Sequence, residues 1–261
     1  MNINPSVNTA SALNQAQSGK DTQLERLASG SRINSAKDDA AGLAISTKLE
    51  TQDRSTQAAL RNSLDGTSRV QVESGALSSV TEDLQRIREL KVQQGNGILN
   101  DQDKAAIQSE INQRTDTIKS VFSDTEFNQK PVFEEGTLGF QTGPNPGDQI
   151  ELSTKDLAAS FEELGITDGV ELTIEQIDEA LAQVGSRQSE LGATENRLSS
   201  NAQFLELKSE NNQAANSRIK DTDVAEAASE KTKMDILSQV AISVQSQANL
   251  SSKFALKLLQ N

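Results

Sequence analysis

Apolar residues recur every seven positions over much of this chain, a spacing that predicts long coiled-coil helices. The strictest run is Ile177, Val184, Leu191, Leu198, Leu205, Asn212 and Ile219, with Ile174 and Leu181 as early companions and Ala202 as a later one. Asn212 puts a polar side chain into that seam, which reads as a register device rather than a ligand. An earlier stripe runs through Val70, Leu77 and Leu84, interleaved with Val80 and Ile87. It predicts a helix from Ala44 to about Gln94, on the order of 75 Å long. Gly95 and Gly97 would stop it. Asn100 and Asp101 are candidate caps for a second helix over 101–122, which carries Ile107, Ile111, Ile118 and Val121.

The periodicity changes in the middle of the chain. Pro131, Pro144 and Pro146 cluster there, while residues 6–130 and 147–261 contain no proline, so long helices are permitted on both sides of one non-helical island. Over roughly 127–155 the pattern predicts a β-hairpin. Leu138 and Phe140 alternate with small or polar residues, as do Ile150 and Leu152, and the turn-rich GPNPGD at 143–148 lies between them. Residues 156–172 lead back towards helix. The last stretch, 234–259, places Leu237, Val240, Ala241, Val244, Phe254, Leu258 and Leu259 on one helical face. Its polar face carries Gln and Ser rather than many basic residues, so a partner helix fits it better than a membrane surface.

Composition narrows this picture. Aromatics make up 3% and hydrophobics 34% of 261 residues, which argues for thin bundles of amphipathic helices over a thick core. The same poverty predicts segments that order only when partners bury them. There is no Cys and no His, which removes a disulfide framework, thiolate metal sites and the commonest acid–base catalyst. The opening MNINPSVNTA lacks the basic and apolar regions of a cleaved secretory signal, and no window is long and apolar enough to span a membrane.

Charge separates the ends from the middle. Lys20, Arg26, Arg32 and Lys37 balance Asp21, Glu25, Asp38 and Asp39 within residues 1–43. Within 222–261, Lys231, Lys233, Lys253 and Lys257 balance Asp223, Glu226, Glu230 and Asp235. The whole net charge of −13 therefore sits on residues 44–221. Neutral ends can pack against copies of themselves. An acidic middle suits a solvated surface and disfavours nucleic acid or an anionic membrane as partner.

The string LERLASGSRINSAKDDAAGLAIS at 24–46 has a local logic. Ser29-Gly30-Ser31 interrupts a helical stripe, and Ser35 with Asp38 at the third helical position is a capping-box pattern for a new helix. The string as a whole resembles the N-terminal signature of bacterial flagellin. ALAQVGSRQSELGATENRL at 180–198 and SRIKDTDVAEAASEKTKMDILSQVAISVQSQANL at 217–250 are similar to the C-terminal half of that family, in the same order. The resemblance spans roughly residues 1–130 and 175–261, and the hairpin region matches more weakly. A longer family member carries outer domains after the hairpin, and this chain has no room for one.

The resemblance implies a mainly α fold: a long antiparallel coiled-coil helical bundle with a small central β-hairpin region. It divides the chain into an N-terminal filament-core helix (1–43), disordered in the monomer, and an N-terminal part of the outer bundle (44–126). The hairpin and connecting segment (127–172), the C-terminal bundle helix (173–221) and the C-terminal filament-core helix (222–261) follow. Ile177, Val184, Leu191, Leu198, Leu205, Leu237, Val240 and Val244 are the expected coiled-coil core. The implied function is a filament subunit that polymerises through its paired terminal helices, exported without a cleaved signal. Implied partners are further copies in a homo-polymer, an export chaperone at the C-terminal helix, the export apparatus, and the cap and hook-junction proteins. Two other readings are a hook–filament junction protein and a secreted helical adhesin or immune ligand.

QRIREL at 85–90 and IQSEINQR at 107–114 resemble the patch by which an animal Toll-like receptor recognises flagellin. Carried over by position, this puts Arg86 and Leu90 on the first helix and Ile107, Glu110, Gln113 and Arg114 on the second, as a receptor or assembly interface. Arg86 and Glu89 are also i,i+3 neighbours that can pair on the helix surface. No enzyme emerges. Asn100–Asp103 with Glu110 lacks the glycine of a calcium loop and falls at a helix start. Glu134-Glu135 and Glu162-Glu163 have no tuning partner. No cofactor or metal site is expected.

Overall fold

The computed structural model describes residues 5–166 and 172–259. Six helices and two small antiparallel sheets follow one another among them. Helices α1 (Pro5–Ser29), α2 (Ala40–Gln94) and α3 (Asp101–Asp124) precede strands β1 (Glu126–Phe127), β2 (Lys130–Pro131), β3 (Gly136–Gln141) and β4 (Gln149–Thr154). Helices α4 (Leu157–Glu163), α5 (Ile174–Lys220) and α6 (Val224–Leu259) complete the chain. The chain forms two compact units: Gln52–Glu210, and the terminal segments up to Thr51 and from Asn211.

In the Gln52–Glu210 unit, α2 and α5 are antiparallel, as their cross-helix bonds show. Asp53 meets Ser209, Ser63 meets Asn201, Glu73 meets Arg187 and Arg88 meets Asp178. The seven-residue stripes face inward. Val70, Leu77, Val80, Leu84 and Ile87 on α2 are fully buried, as are Ile177, Leu191 and Leu198 on α5, with Val184 and Leu205 nearly so. Each such aliphatic side chain removed from water contributes on the order of 1.5–3 kcal/mol.

Helix α3 adds a third face with Ile107, Ile111, Ile118 and Phe122. It starts where the sequence predicts. Asn100 is the N-cap, its side chain accepting from the Asp103 backbone N–H while Asp103 reciprocates, a complete capping box. Phe122 sits edge-on to Phe133 and to Phe161 of α4, with ring centroids 5.0 Å apart in both pairs. Three of the seven phenylalanines therefore close one end of the core.

The hairpin pairs Leu138 with Leu152 and Phe140 with Ile150. Ile150, Leu152 and Thr154 are buried and alternate with exposed Gln149, Glu151 and Ser153, so β4 shows the period-two pattern of a half-buried strand. Asn62 of α2 donates to the Gln141 carbonyl, and Gly66 leaves room for the Phe140 ring and Leu198. A smaller β1–β2 hairpin turns through Asn128 and Gln129, both at positive φ, the geometry of a two-residue type I′ loop.

The terminal unit pairs α1 with α6. Helix α1 ends at Gly30, whose φ of +67° suits glycine. The break after α1 and the break before α6 are bonded to each other. The Arg32 N–H donates to the Lys220 carbonyl (2.6 Å), and the Thr222 N–H donates to the Gly30 carbonyl (3.0 Å).

Two local expectations change here. Helix α2 begins at Ala40 rather than Ala44, and its cap is Asp39, whose Oδ1 accepts the Gly42 N–H at 2.8 Å. Ser35 caps no helix. Asp38 Oδ2 accepts from the Asn34 and Ser35 N–H groups and from the Ser35 hydroxyl, closing a separate turn one residue short of the helix. Those bonds, led by the Ser35 hydroxyl, hold the Asp38 carboxyl below its ordinary range.

Candidate assembly interface

The terminal unit is a pair of helices with a short supply of covering layers. Ala12 and Ala16 on α1 are small, and Gly19 brings α1 close to the Met234 side chain of α6. Ala16, Ala227 and Ala241 are buried between the helices. The remaining apolar face is open. A groove of about 460 Å³ runs between the helices, lined by Ala12, Ala16, Met234, Leu237, Val240 and Val244.

Leu237, Val240 and Val244, expected as coiled-coil core, are thus 46%, 52% and 48% exposed in a single chain. Two helices bury one seam, and among the described residues of this unit nothing plays the part that α3 and the hairpin play elsewhere. Ile236, Ile242 and Leu250 extend the exposed apolar surface along α6. Such a row is more than the isolated apolar residues ordinary on a soluble surface. The side chains of Phe254, Leu258 and Leu259, expected on this face, lie outside the described residues.

Ion pairs fix how α1 lies against α6. Lys20 Nζ is 2.7 Å from Asp235 Oδ1, and Lys231 Nζ is 3.0 Å from Asp235 Oδ2. The bond to Lys20, with that to Lys231, holds the Asp235 carboxyl below the usual carboxylate range. Asp235 in turn raises the Lys20 ammonium above its ordinary value.

The second patch lies on α2 and α3. Arg86 Nε donates to Glu110 Oε1 and Nη1 to Glu89 Oε2, both at 3.0 Å. Glu110, then Glu89, raises the Arg86 guanidinium's affinity for its proton. Arg114 Nη1 meets Asp83 Oδ1 at 2.9 Å, and Gln113 is exposed beside it. Leu90 and Ile107 are not on this surface. They are 2% and 8% exposed and belong to the α2–α3 core, because both sit on the inward stripe of their helices. The polar side chains Arg86, Glu110, Gln113 and Arg114 are what the patch presents.

A buried ionic cluster went unread in the sequence. Glu73, 1% exposed, accepts from Arg187 Nε at 2.7 Å and from Arg69 Nη1 at 3.1 Å. Arg187 also donates to the Ser153 carbonyl, and Arg69 to the Val132 carbonyl at 3.1 Å. The cluster ties α2 and α5 to the hairpin region. Its signal was present: Glu73 falls between Val70 and Leu77, and Arg187 between Val184 and Leu191, both at inward companion positions. Opposite charges at facing seam positions mark a buried pair.

Among the described residues no group of three His, Cys, Asp or Glu side chains is placed to hold a metal ion. No described helix is long and apolar enough to cross a membrane.

An α-helical bundle unit joined in sequence to a helix pair with an uncovered apolar face is the build of a helical interaction protein. The chain belongs to the bacterial flagellin family. Residues 2–137 match the bacterial flagellin N-terminal helical region and residues 174–259 the C-terminal helical region. It is 42% identical to a flagellin of Halalkalibacterium halodurans, with 95% of this chain and 93% of that protein covered. It is 37% identical to a flagellin of Bacillus subtilis, with both chains covered fully. It is also 37% identical to flagellar filament core protein flaB2 of Brachyspira hyodysenteriae, with 91% of each chain covered. The protein is a structural subunit of the extracellular bacterial flagellar filament, a homo-polymer, in a short form without outer variable domains. These relatives favour the filament subunit over the junction protein and the adhesin.

Proposed function

We propose that the subunit polymerises through its terminal helix pair, with the open face of α1 and α6 covered by a different face of the terminal helices of neighbouring copies. The half-exposed Leu237, Val240 and Val244 carry this reading. Apolar side chains at seam spacing are stable in water only at a cost, and an apolar surface on another copy removes it. The ends are net neutral, so close packing of many copies meets no net repulsion, while the acidic middle faces solvent. Each contact is weak, and their repetition in a non-closing array makes the filament strong.

The same face of α6 serves an export chaperone before assembly, since an uncovered apolar strip needs shielding. Export then proceeds through the flagellar apparatus, towards the cap and the hook-junction proteins. Arg86, Glu110, Gln113 and Arg114 form a polar surface for a neighbouring subunit in the filament, and for a Toll-like flagellin receptor of animal hosts when the subunit is free. Arg86 brings a planar guanidinium already set by two carboxylates.

The test is a triple substitution, Leu237→Ser, Val240→Ser and Val244→Ser, with seeded polymerisation followed by sedimentation. The expected result is a soluble protein whose Gln52–Glu210 unit melts as in the parent and which does not pellet. A variant that pellets like the parent contradicts the proposal.

A further inference from the structure

The connection between α2 and α3 carries chemistry that assembly does not use. Asn96-Gly97 is the one Asn-Gly pair in the chain. It lies past the end of α2 at Gln94, and both residues are exposed. The backbone around it is fixed. The Asn96 N–H donates to the Gln93 carbonyl at 3.0 Å, and the Leu99 N–H donates to the Asn96 carbonyl at 3.2 Å, closing a turn over 96–99. Leu99 packs against the core and anchors that turn.

The side chain is fixed as well. Asn96 Oδ1 accepts the Ile98 N–H at 3.3 Å, which folds the amide back over the Gly97 nitrogen between them. The same bond draws electrons from Cγ and makes it a better target for a nucleophile. The Gly97 N–H bonds to no group among the described residues. A Cβ added at Gly97 would meet nothing within 4 Å, so no neighbour crowds the position. Asn34-Ser35 is the contrast, because there the following N–H is engaged, donating to Asp38 Oδ2 at 3.0 Å. Asn62-Ser63 and Asn216-Ser217 lie inside α2 and α5, where the helix ladder holds the following nitrogen.

We propose that Asn96 is a self-modifying site, converting to isoaspartate and aspartate. The Gly97 nitrogen attacks Asn96 Cγ and a cyclic imide closes. The Cγ–Nδ2 bond breaks, and ammonia leaves with the proton that Gly97 gives up. Water, the only co-reactant, then opens the ring. Its attack at Cγ gives aspartate. Its attack at the main-chain carbonyl carbon leaves the chain running through Cγ, which is isoaspartate. Either product adds a negative charge to an already acidic middle. In isoaspartate the carbonyl that held the Leu99 N–H becomes a free carboxylate on a lengthened backbone, so the turn must rearrange. The loss of ammonia runs one way, and the converted fraction records the time since synthesis.

The test ages the full-length protein in mildly alkaline buffer, native and unfolded in urea. The tryptic peptides of residues 92–104 and 33–37 are followed by mass spectrometry, with a chromatographic step that separates isoaspartate from aspartate. In the native chain Asn96 is expected to convert ahead of Asn34, at least as fast as in urea, with isoaspartate in excess. Gly97→Ala is expected to slow conversion about tenfold, because a methyl group beside the nucleophile hinders ring closure. A native rate below the unfolded one overturns the proposal, since the turn then shields Asn96 instead of presenting it. A Gly97→Ala chain that converts as fast as the parent overturns the ring-closure route. The native and unfolded comparison needs no variant, so it decides even if Gly97→Ala disturbs the connection.

Discussion

The Gln52–Glu210 unit and the terminal unit are built from the same kind of helix, yet their apolar stripes meet different fates. In the first, α3 and the hairpin cover what α2 and α5 present, and Leu77, Leu84, Ile177 and Leu191 are fully buried. In the second, α1 meets α6 alone, and Leu237, Val240 and Val244 remain about half exposed. Seam spacing therefore says that a stripe will be buried, and the number of layers says whether one chain can do it. The first unit has a core of its own, while the second holds one that other copies complete.

That contrast can be broken most strongly at the buried charges. Arg187→Ala takes from Glu73 one of its two buried guanidinium partners, and urea denaturation should show a loss of about 3–5 kcal/mol. A loss below about 1 kcal/mol would mean that water reaches the cluster. Next comes a matched pair of truncations. Leu191→Ala should cost roughly 2–5 kcal/mol in the same assay. Val240→Ala should leave monomer stability within about 0.5 kcal/mol and instead weaken polymerisation. If both behave alike in the monomer, the two units do not differ as described.

A smaller effect sharpens the edge of the closed unit. Asn100→Ala removes the capping box of α3 and should lower stability by about 1 kcal/mol, seen as a shifted urea midpoint with an unchanged slope. The smallest concerns the exposed pair of the open unit. Asp235's carboxyl is held low by Lys20, so its contribution is present above the unfolded pKa and fades as pH falls through the folded one. Lys20 is raised, so its contribution is present below its unfolded pKa and fades as pH rises through the folded one. Between those limits the α1–α6 pairing should not vary with pH through this pair. Asp235→Asn should flatten the acid limb of a helicity titration by lowering helicity at neutral pH slightly, towards the value the parent reaches in acid.

Much of this fold was legible before any coordinates. The heptads of α2 and α5, the Asn100 cap and the alternation of Leu138, Phe140, Ile150 and Leu152 are local patterns, and local patterns carry their own physics. Ser35 failed as a cap because its hydroxyl donates to Asp38 Oδ2 while the Asp38 N–H bonds the Ser35 carbonyl in a turn, and a sequence shows the groups without that choice. Leu90 and Ile107 came with the receptor-like strings QRIREL and IQSEINQR, yet each lies on its helix's inward stripe. Arg86, Glu110, Gln113 and Arg114 from the same strings do face outward. The Glu73–Arg187 pair needed the register of two helices more than a hundred residues apart, which only the packed structure supplies.

The most direct test is negative-stain electron microscopy of the full-length protein after seeding, beside a form lacking residues 1–43 and 222–261. Filaments from the first, and a folded monomer without filaments from the second, are the expected result. Filaments from the trimmed form would contradict polymerisation through the terminal helices, as would a full-length protein that stays a stable monomer under seeding.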